Sequence, residues 1–221
     1  MQLRSLYPLL LAILVLGGTT ACTDVGVNPK SSATAANIFT EDGSYRSYLA
    51  KLYAGLTVTG QSAQGNLDVS AGVSDAGSQQ YMRLYWELQE LPTDEAVVAW
   101  QDQTLQDFNT MAWGPQDVFN EAMYSRIFFQ VAQANEFLRQ STDAELQQRG
   151  VDPSVVEKMP TWRAEARFLR ALSYWHALDL YGSVPLVEED FPRGAQPPPQ
   201  ASSQELYNFV RDELRAITDS E

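Results

Sequence analysis

Three residues in one loop-rich segment, Trp100, Asp102 and Trp113, have side chains of the kind that carbohydrate recognition requires. They lie in residues 57–116, a stretch rich in Gly, Ser, Gln and Asp, and binding residues are often carried by loops on a rigid scaffold. An indole ring covers the apolar C–H face of a sugar, and a nearby carboxylate accepts hydrogen bonds from its hydroxyl groups. We therefore predict these three as ligand-binding residues. The alternative for each tryptophan is a place in the hydrophobic core.

No group of residues has the spacing of a catalytic site. His176 is the only histidine, and Ser173 and Asp179 lie three residues to either side of it. A triad along one helix would lack an oxyanion hole and a strained nucleophile turn, so we expect His176 to make a hydrogen bond on a helix surface or between helices. The 28 acidic residues single out no pair for glycoside hydrolysis. The sequence predicts no catalytic residues and no enzyme activity.

Composition also argues against metals, cofactors and nucleic acid. One Cys and one His cannot form a Cys/His zinc site, and no glycine-rich loop leads into Lys-Ser/Thr. Residues 188–190, Glu-Glu-Asp, lack the spaced oxygen ligands of a calcium loop, so we interpret them as a solvated loop. A net charge of −13 repels phosphate backbones. We predict no metal, no cofactor and no nucleic-acid partner.

Residues 1–21 have the pattern of a lipoprotein signal peptide. Arg4 precedes an apolar stretch, residues 6–16, which at about 1.5 Å per residue is too short to cross a ~30 Å hydrocarbon core. The run that ends in Ala21-Cys22 resembles a lipobox, with Thr19 where Leu, Val or Ile is usual. We expect lipidation of Cys22 and a flexible tether over residues 22–37. The alternative is an ordinary secretory signal with an incidental cysteine.

The rest of the chain, residues 38–221, is predicted to be helical. Apolar residues recur at helical spacing in residues 42–56, in residues 117–140 with Asp117 as N-cap, and from Pro160 to Gly182. In the third of these segments we predict a buried stripe made of Phe168, Ala171, Leu172, Trp175 and Leu178. A short helix is expected around residues 81–88. Ser202 and Glu205 have the form of a capping box that opens a last helix.

Two features indicate helix pairs, and one of them indicates an incomplete chain. Ala164, Phe168 and Ala171 have the spacing of the second helix of a tetratricopeptide repeat, with Phe168 filling the gap between two small residues. The last helix would present an apolar stripe with no following partner, although helical repeats need neighbours or a polar cap. We therefore expect a domain that is truncated at its C-terminal end.

One long motif resembles a known family. The run EARFLRALSYW at residues 165–175, continued by LYGSVPL at residues 180–186, is similar to the signature of the SusD/RagB outer-membrane nutrient-binding lipoproteins. Supporting matches are LPTDEA at residues 91–96 and Ala134-Asn135. The resemblance implies an all-α fold of tetratricopeptide-like pairs with a long irregular segment, as in the N-terminal half of the family. It also implies a SusC-like TonB-dependent transporter as partner and glycans as ligands.

Three hypotheses for function follow. The first is a surface-exposed lipoprotein of the outer membrane that binds oligosaccharide nutrients and hands them to the transporter. The second is a helical-repeat lipoprotein that acts as an assembly scaffold without a small-molecule ligand. The third is a lipid-anchored glycosidase. Titration with oligosaccharides separates the first two, because a scaffold does not bind them.

Overall fold

The computed structural model describes residues 38–39, 42–60, 67–69, 73 and 76–219. Within these ranges the chain is mostly helical, and the only β-pairing consists of isolated bridges. This confirms the predicted all-α fold class. The signal peptide, Cys22 and the tether over residues 22–37 lie outside the described residues. The helices are α1 (Asp42–Ala54), α2 (Tyr81–Glu90), α3 (Gln103–Asn109), α4 (Val118–Gln140), α5 (Asp143–Arg149), α6 (Pro153–Val156), α7 (Met159–Tyr181) and α8 (Ser203–Thr218).

Helices α4, α7 and α8 form the centre of the fold as antiparallel neighbours. The Tyr181 hydroxyl at the end of α7 donates to the Asn120 carbonyl near the start of α4, at 2.9 Å. The Ser203 hydroxyl at the start of α8 donates to the Gly182 carbonyl just after α7, at 3.0 Å. Antiparallel contacts of this kind are typical of stacked helix pairs, the arrangement that the sequence predicted.

The long helix α4 begins where the sequence predicts and supplies much of the core. One carboxylate oxygen of Asp117 accepts the backbone N–H groups of Phe119 and Asn120, both at 3.0 Å, which satisfies two donors that a helix start leaves free. Residues of α4 pack with side chains of α2, α7 and α8. The buried apolar residues of this core include Tyr81, Leu84, Phe119, Met123, Ile127, Val131, Tyr174, Ala177 and Leu206.

The predicted buried stripe of α7 is partly wrong. Phe168 and Trp175 are 43% and 50% exposed, so Phe168 does not fill a gap between packed helices among the described residues. Ala171 is buried as predicted, whereas Leu172 and Leu178 are only partly buried. The face of α7 that is buried is displaced by about one residue from the predicted stripe. It includes polar side chains that form hydrogen bonds. Its members are Ala166, Leu169, Arg170, Ala171, Ser173, Tyr174, His176 and Ala177.

Arg170 joins three parts of the fold at the centre of α7. Its guanidinium is 1% exposed and donates to the Asn135 carboxamide oxygen on α4 at 2.7 Å and to Glu213 on α8 at 2.9 Å. It also forms an ion pair with Glu189 in the loop after α7. The interpretation of residues 188–190 as a solvated loop is therefore wrong for Glu189, which is held by a buried cation.

A hydrogen bond joins the two ends of the segment between α7 and α8. Gly182 ends α7 with a positive φ of 71°, a conformation that favours glycine, as the sequence predicted. The Ala201 N–H donates to the Val184 carbonyl at 2.9 Å, beside a bridge between Pro185 and Gln200. The predicted capping box then starts α8, since the Ser202 hydroxyl and the Glu205 carboxylate bond reciprocally to backbone N–H groups.

Helices α1 and α2 pack beside this centre. The Tyr45 hydroxyl of α1 donates to the Gln140 carbonyl at 3.3 Å, and the Gln130 side chain donates to the Leu52 carbonyl at 2.6 Å, so α1 runs antiparallel to α4. Tyr81 of α2 contacts His176 of α7. None of the helices within the described residues is long and apolar enough to span a bilayer.

Candidate functional site

Trp100 lies on the surface next to a basic side chain. The indole is 60% exposed, so the core alternative is wrong for this residue. The guanidinium carbon of Arg83, on α2, lies 5.4 Å from the centroid of the indole, within the range of a cation–π contact. The Gln106 side chain donates to the Trp100 carbonyl at 2.6 Å and so fixes the backbone at this position. We call Trp100 and Arg83 the Trp100 platform.

A buried carboxylate holds the guanidinium of Arg83 in position. The Nε of Arg83 donates to the Glu87 carboxylate at 2.8 Å, one turn along α2. Burial raises the pKa of Glu87 above its ordinary value, and the hydrogen bond from Arg83 opposes that rise. Glu87 is 3% exposed and is therefore not accessible to a ligand; its carboxylate positions Arg83. The Nη1 of Arg83 also donates to the Gly77 carbonyl at 3.2 Å, and the Arg83 side chain is 27% exposed. The accessible part of the Trp100 platform is therefore mainly the exposed indole ring, which can contact an apolar sugar face.

Asp102 has a structural contact that the sequence did not indicate. One carboxylate oxygen accepts the backbone N–H of Thr104 at 3.1 Å and the Thr104 hydroxyl at 2.7 Å. Asp102 is therefore the N-cap of α3. It lies two residues from Trp100, and its ligand-binding role stays a prediction.

Trp113 lies at the edge of a separate cleft. Its ring is 37% exposed, and its centroid is 5.5 Å from that of the buried Phe108, so it is partly packed and partly accessible. The cleft has a volume of about 380 Å³, and Trp100 is not among its lining residues. We call it the Trp113 cleft. It is lined by Leu88, Gln89, Pro92, Phe108, Met111, Trp113, Asn120, Asp179 and Leu180.

The structure therefore divides the three predicted residues between two places. Trp100 and Asp102 come just before α3, whereas Trp113 follows its end. Sequence reasoning missed Arg83 as well as three polar residues of the cleft lining, Gln89, Asn120 and Asp179, as candidate ligand contacts. No local pattern marks these residues as ligand contacts, because Arg83 meets Trp100, and Gln89 meets Asp179, only through contacts between separate segments of the chain.

Met111 forms part of the rim of the Trp113 cleft with an unusual backbone. Its φ is 58°, the only positive value among the non-glycine residues that the structure describes. The left-handed region costs a side-chain-bearing residue about 1 kcal/mol or more, and such strain is often found at ligand-binding positions. The Met111 side chain is 63% exposed. A flexible thioether at the rim can adapt to the shape of a bound molecule.

His176 is held between α7 and α2, behind the wall of the cleft. Its Nδ1 is 2.9 Å from the Tyr81 hydroxyl, and its ring stacks on Tyr85 with centroids 4.0 Å apart. This confirms the interhelical hydrogen bond that the sequence predicted. The Ser173 hydroxyl donates to the Leu169 carbonyl of its own helix at 3.0 Å. His176 thus has a structural partner in Tyr81.

The buried imidazole predicts a pH-dependent stability. Burial lowers the pKa of His176 to about 4, and Asp179 opposes the shift only in part. Between an unfolded value of about 6.5 and the folded value of about 4, the unfolded chain takes up a proton that the folded chain does not, so stability falls as the pH falls. In His176→Gln this contribution is absent. We expect the free energy of unfolding of the wild type, relative to that of His176→Gln, to fall by about 2 kcal/mol from pH 7 to pH 4.5.

Urea unfolding of both proteins at the two pH values measures this difference. Protonation of carboxylates affects wild type and variant alike, so it cancels in the comparison. A wild-type advantage that stays constant between pH 7 and pH 4.5 would show that His176 does not titrate in this way.

Known proteins resemble this chain in sequence and in fold. It is 34% identical to the starch-binding protein SusD of Bacteroides thetaiotaomicron over 213 residues, 94% of this chain and 34% of SusD. A SusD-like protein from Bacteroides fragilis NCTC 9343 superposes with a TM-score of 0.57 at 19% identity, covering 82% of this chain and 30% of that one. A SusD-like carbohydrate binding protein of the same strain gives 0.48 at 17% identity, with coverages of 80% and 31%.

The likeness in sequence to SusD and the likeness in fold to the neighbour with the TM-score of 0.57 confirm the resemblance that the motif in α7 predicted. The chain spans about a third of the length of the curated relative that it matches. No family model matches it. The structural neighbour with the TM-score of 0.57 supports the predicted architecture of tetratricopeptide-like helix pairs.

Proposed function

The chain is SusD-like in both sequence and fold, and on that basis we propose that it binds glycans as part of nutrient uptake at the outer membrane. The relative that is 34% identical over nearly the whole chain is a starch-binding protein. The exposed Trp100 platform carries the proposal, because it presents an aromatic ring and a guanidinium side by side on the surface. Its function is binding rather than catalysis.

The membrane side of the proposal follows from the N-terminal sequence and the family. We propose that Cys22 carries lipid, that residues 22–37 form the tether, and that residues 38–221 form the SusD-like helical domain. The domain faces the cell exterior and passes oligosaccharides to a SusC-like TonB-dependent transporter. Protease treatment of intact cells tests surface exposure, and a chain that is protected from the protease would contradict it. Co-purification tests the partnership, and purification of the chain without a transporter would contradict that.

Replacing Trp100 tests the glycan site directly. We expect Trp100→Ala to weaken oligosaccharide binding by about 1–3 kcal/mol, or roughly 5- to 150-fold, on the scale of aromatic stacking against nucleic-acid bases. The helical fold should persist, because the ring is mostly exposed. Calorimetric titration with maltoheptaose, xylohexaose and mannohexaose measures the affinity, and circular dichroism monitors the helices.

Tyr207→Ala is the matched control for this measurement. Tyr207 is also an exposed aromatic residue, at 54%, but it lies on α8, whose main packing partner is α7. The control variant should keep wild-type affinity. A wild-type protein that binds none of the three oligosaccharides would favour the scaffold hypothesis, and shortened sugars among the products would favour a glycosidase.

A further inference from the structure

The Trp113 cleft has the chemistry of a second sugar-binding position. One wall is aromatic, with Trp113 packed on the buried Phe108. The lining also includes polar groups, namely the amide side chains of Gln89 and Asn120 and the carboxylate of Asp179. Small-molecule sites combine mostly apolar walls with a few placed polar groups in this way.

The Asp179 carboxylate is fixed in place by its neighbours. The Gln89 side chain donates to its Oδ2 at 2.5 Å, and the Tyr85 hydroxyl lies 3.5 Å from the same oxygen. The stacking of Tyr85 on the buried His176 holds that hydroxyl in turn. Its other oxygen, Oδ1, accepts no hydrogen bond from the part of the chain that the structure describes. A positioned acceptor with free capacity therefore lies in the cleft wall.

We propose that the Trp113 cleft binds one neutral sugar unit of the glycan, at a position separate from the Trp100 platform. Trp113 packs on the apolar face of the sugar, and Asp179 accepts a hydrogen bond from a hydroxyl group. The inference rests on the proposed function, since it adds a second contact to the same class of ligand. The volume of about 380 Å³ lies near the lower end of the ~300–1,000 Å³ found for small-molecule clefts, which fits a ligand as small as one sugar unit.

The charge of the cleft selects neutral sugars. Asp179 is the carboxylate of the wall, and no basic side chain occurs among the described residues that line it. A uronic acid would bring a second carboxylate towards Asp179 without a cation to pair it, and juxtaposed like charges disfavour a wrong partner. The net charge of −13 acts in the same direction. Asp179 is thus a specificity-determining residue in addition to a hydrogen-bond acceptor.

Two substitutions in the purified protein test the cleft. We expect Trp113→Ala to weaken binding of the neutral oligosaccharide that binds most tightly among maltoheptaose, xylohexaose and mannohexaose by roughly 5- to 150-fold. Asp179→Asn keeps the shape of the side chain and removes its charge, and we expect about tenfold weaker binding of the same sugar because a charged acceptor is lost. The wild type should bind a galacturonan hexamer at least about tenfold more weakly than the neutral sugar. Asp179→Asn should reduce the ratio of neutral to acidic affinity, whereas replacing a residue with a merely structural role would leave this ratio unchanged.

The results separate this inference from the proposed function. If the wild type binds no neutral oligosaccharide, the proposed function fails and this inference fails with it. If Trp100→Ala weakens binding while Trp113→Ala and Asp179→Asn leave it unchanged, only the inference about the cleft is overturned. It is overturned as well if Asp179→Asn leaves the ratio of neutral to acidic affinity at the wild-type value. Circular dichroism of Asp179→Asn tests whether this variant keeps its helices; we expect that it does, because Asp179 is exposed, and the ratio of affinities then decides the question even if Trp113→Ala unfolds.

Discussion

Arg170→Ala should lower the free energy of unfolding by about 3–5 kcal/mol, the scale for removing one partner from a buried ion pair. The guanidinium is 1% exposed and contacts Asn135, Glu189 and Glu213, which come from three separate segments. Without it, the mostly buried carboxylate of Glu213 and the partly exposed carboxylate of Glu189 lose a neutralising charge. Urea unfolding followed by circular dichroism measures the change.

Glu213 explains why the loss should be large. Burial would raise the pKa of its carboxyl, but hydrogen bonds from Arg167 and Arg170 outweigh the burial and hold the pKa below its ordinary value. Removing Arg170 leaves the carboxylate with Arg167 alone, which donates at 2.7 Å and 3.1 Å. The folded state then holds a charge that the unfolded state exposes to water.

Arg193→Ala is the matched control for this prediction. Arg193 also forms an ion pair with a glutamate, Glu136, but its side chain is 61% exposed. Exposed pairs contribute about 0–1 kcal/mol, so the control should stay within about 1 kcal/mol of wild type. If Arg170→Ala also remains in that range, the network is not a major source of stability.

Cys22→Ser should abolish attachment to the membrane. If a peptidase cleaves before Cys22, this sulfur is the only one in the mature chain that can carry a diacylglyceryl group. Two or three acyl chains anchor a protein stably, whereas serine cannot form the thioether. We expect labelled palmitate on the wild type and none on the variant, and recovery of the variant in the soluble fraction. Metabolic labelling and cell fractionation measure both results.

Thr23→Ser, at the neighbouring position, is the control for the Cys22 substitution. It changes a side chain next to the cleavage point and leaves the sulfur in place, so label and membrane fraction should match wild type. Wild-type protein without palmitate would favour the alternative of an ordinary secretory signal with an incidental cysteine.

Local sequence signals predicted the helix boundaries best. Asp117 and the Ser202/Glu205 capping box mark the starts of α4 and α8, and both caps depend on side chains within three residues of the backbone groups that they satisfy. The all-α class and the interhelical role of His176 follow from periodicity and composition. The short helix α3 was not predicted, because its seven residues carry too little periodicity to stand out within a polar segment.

The buried face of α7 was harder to predict because it carries charge. Hydrophobic patterning assigns Phe168 and Trp175 to the interior, whereas the structure exposes both and buries Arg170. A buried arginine is stable only when distant residues satisfy it, and Asn135, Glu189 and Glu213 lie 19 to 43 positions away in the chain. One sequence contains no signal for such pairing.

The candidate site shows the same limit. Residue types marked Trp100 and Trp113 as accessible aromatic rings, and both are at least partly exposed. Their partners Arg83 and Asp179 come from α2 and α7, so only the tertiary packing reveals a cation beside one ring and a carboxylate in the cleft of the other. The separation of the two rings was equally invisible in the sequence.

The closed segment between Val184 and Ala201 offers a place to attach a reporter. The hydrogen bond between Ala201 and Val184 joins the ends of this loop just before α8. Residues added near Gly194 would therefore lengthen the loop without separating its ends. Doubling the length of such a loop costs only about 0.6 kcal/mol in closure entropy. Gly194 is exposed and lies beyond Glu189, so a fluorophore or an epitope tag inserted there leaves the Arg170 contacts untouched. Ligand capture can then be followed on living cells.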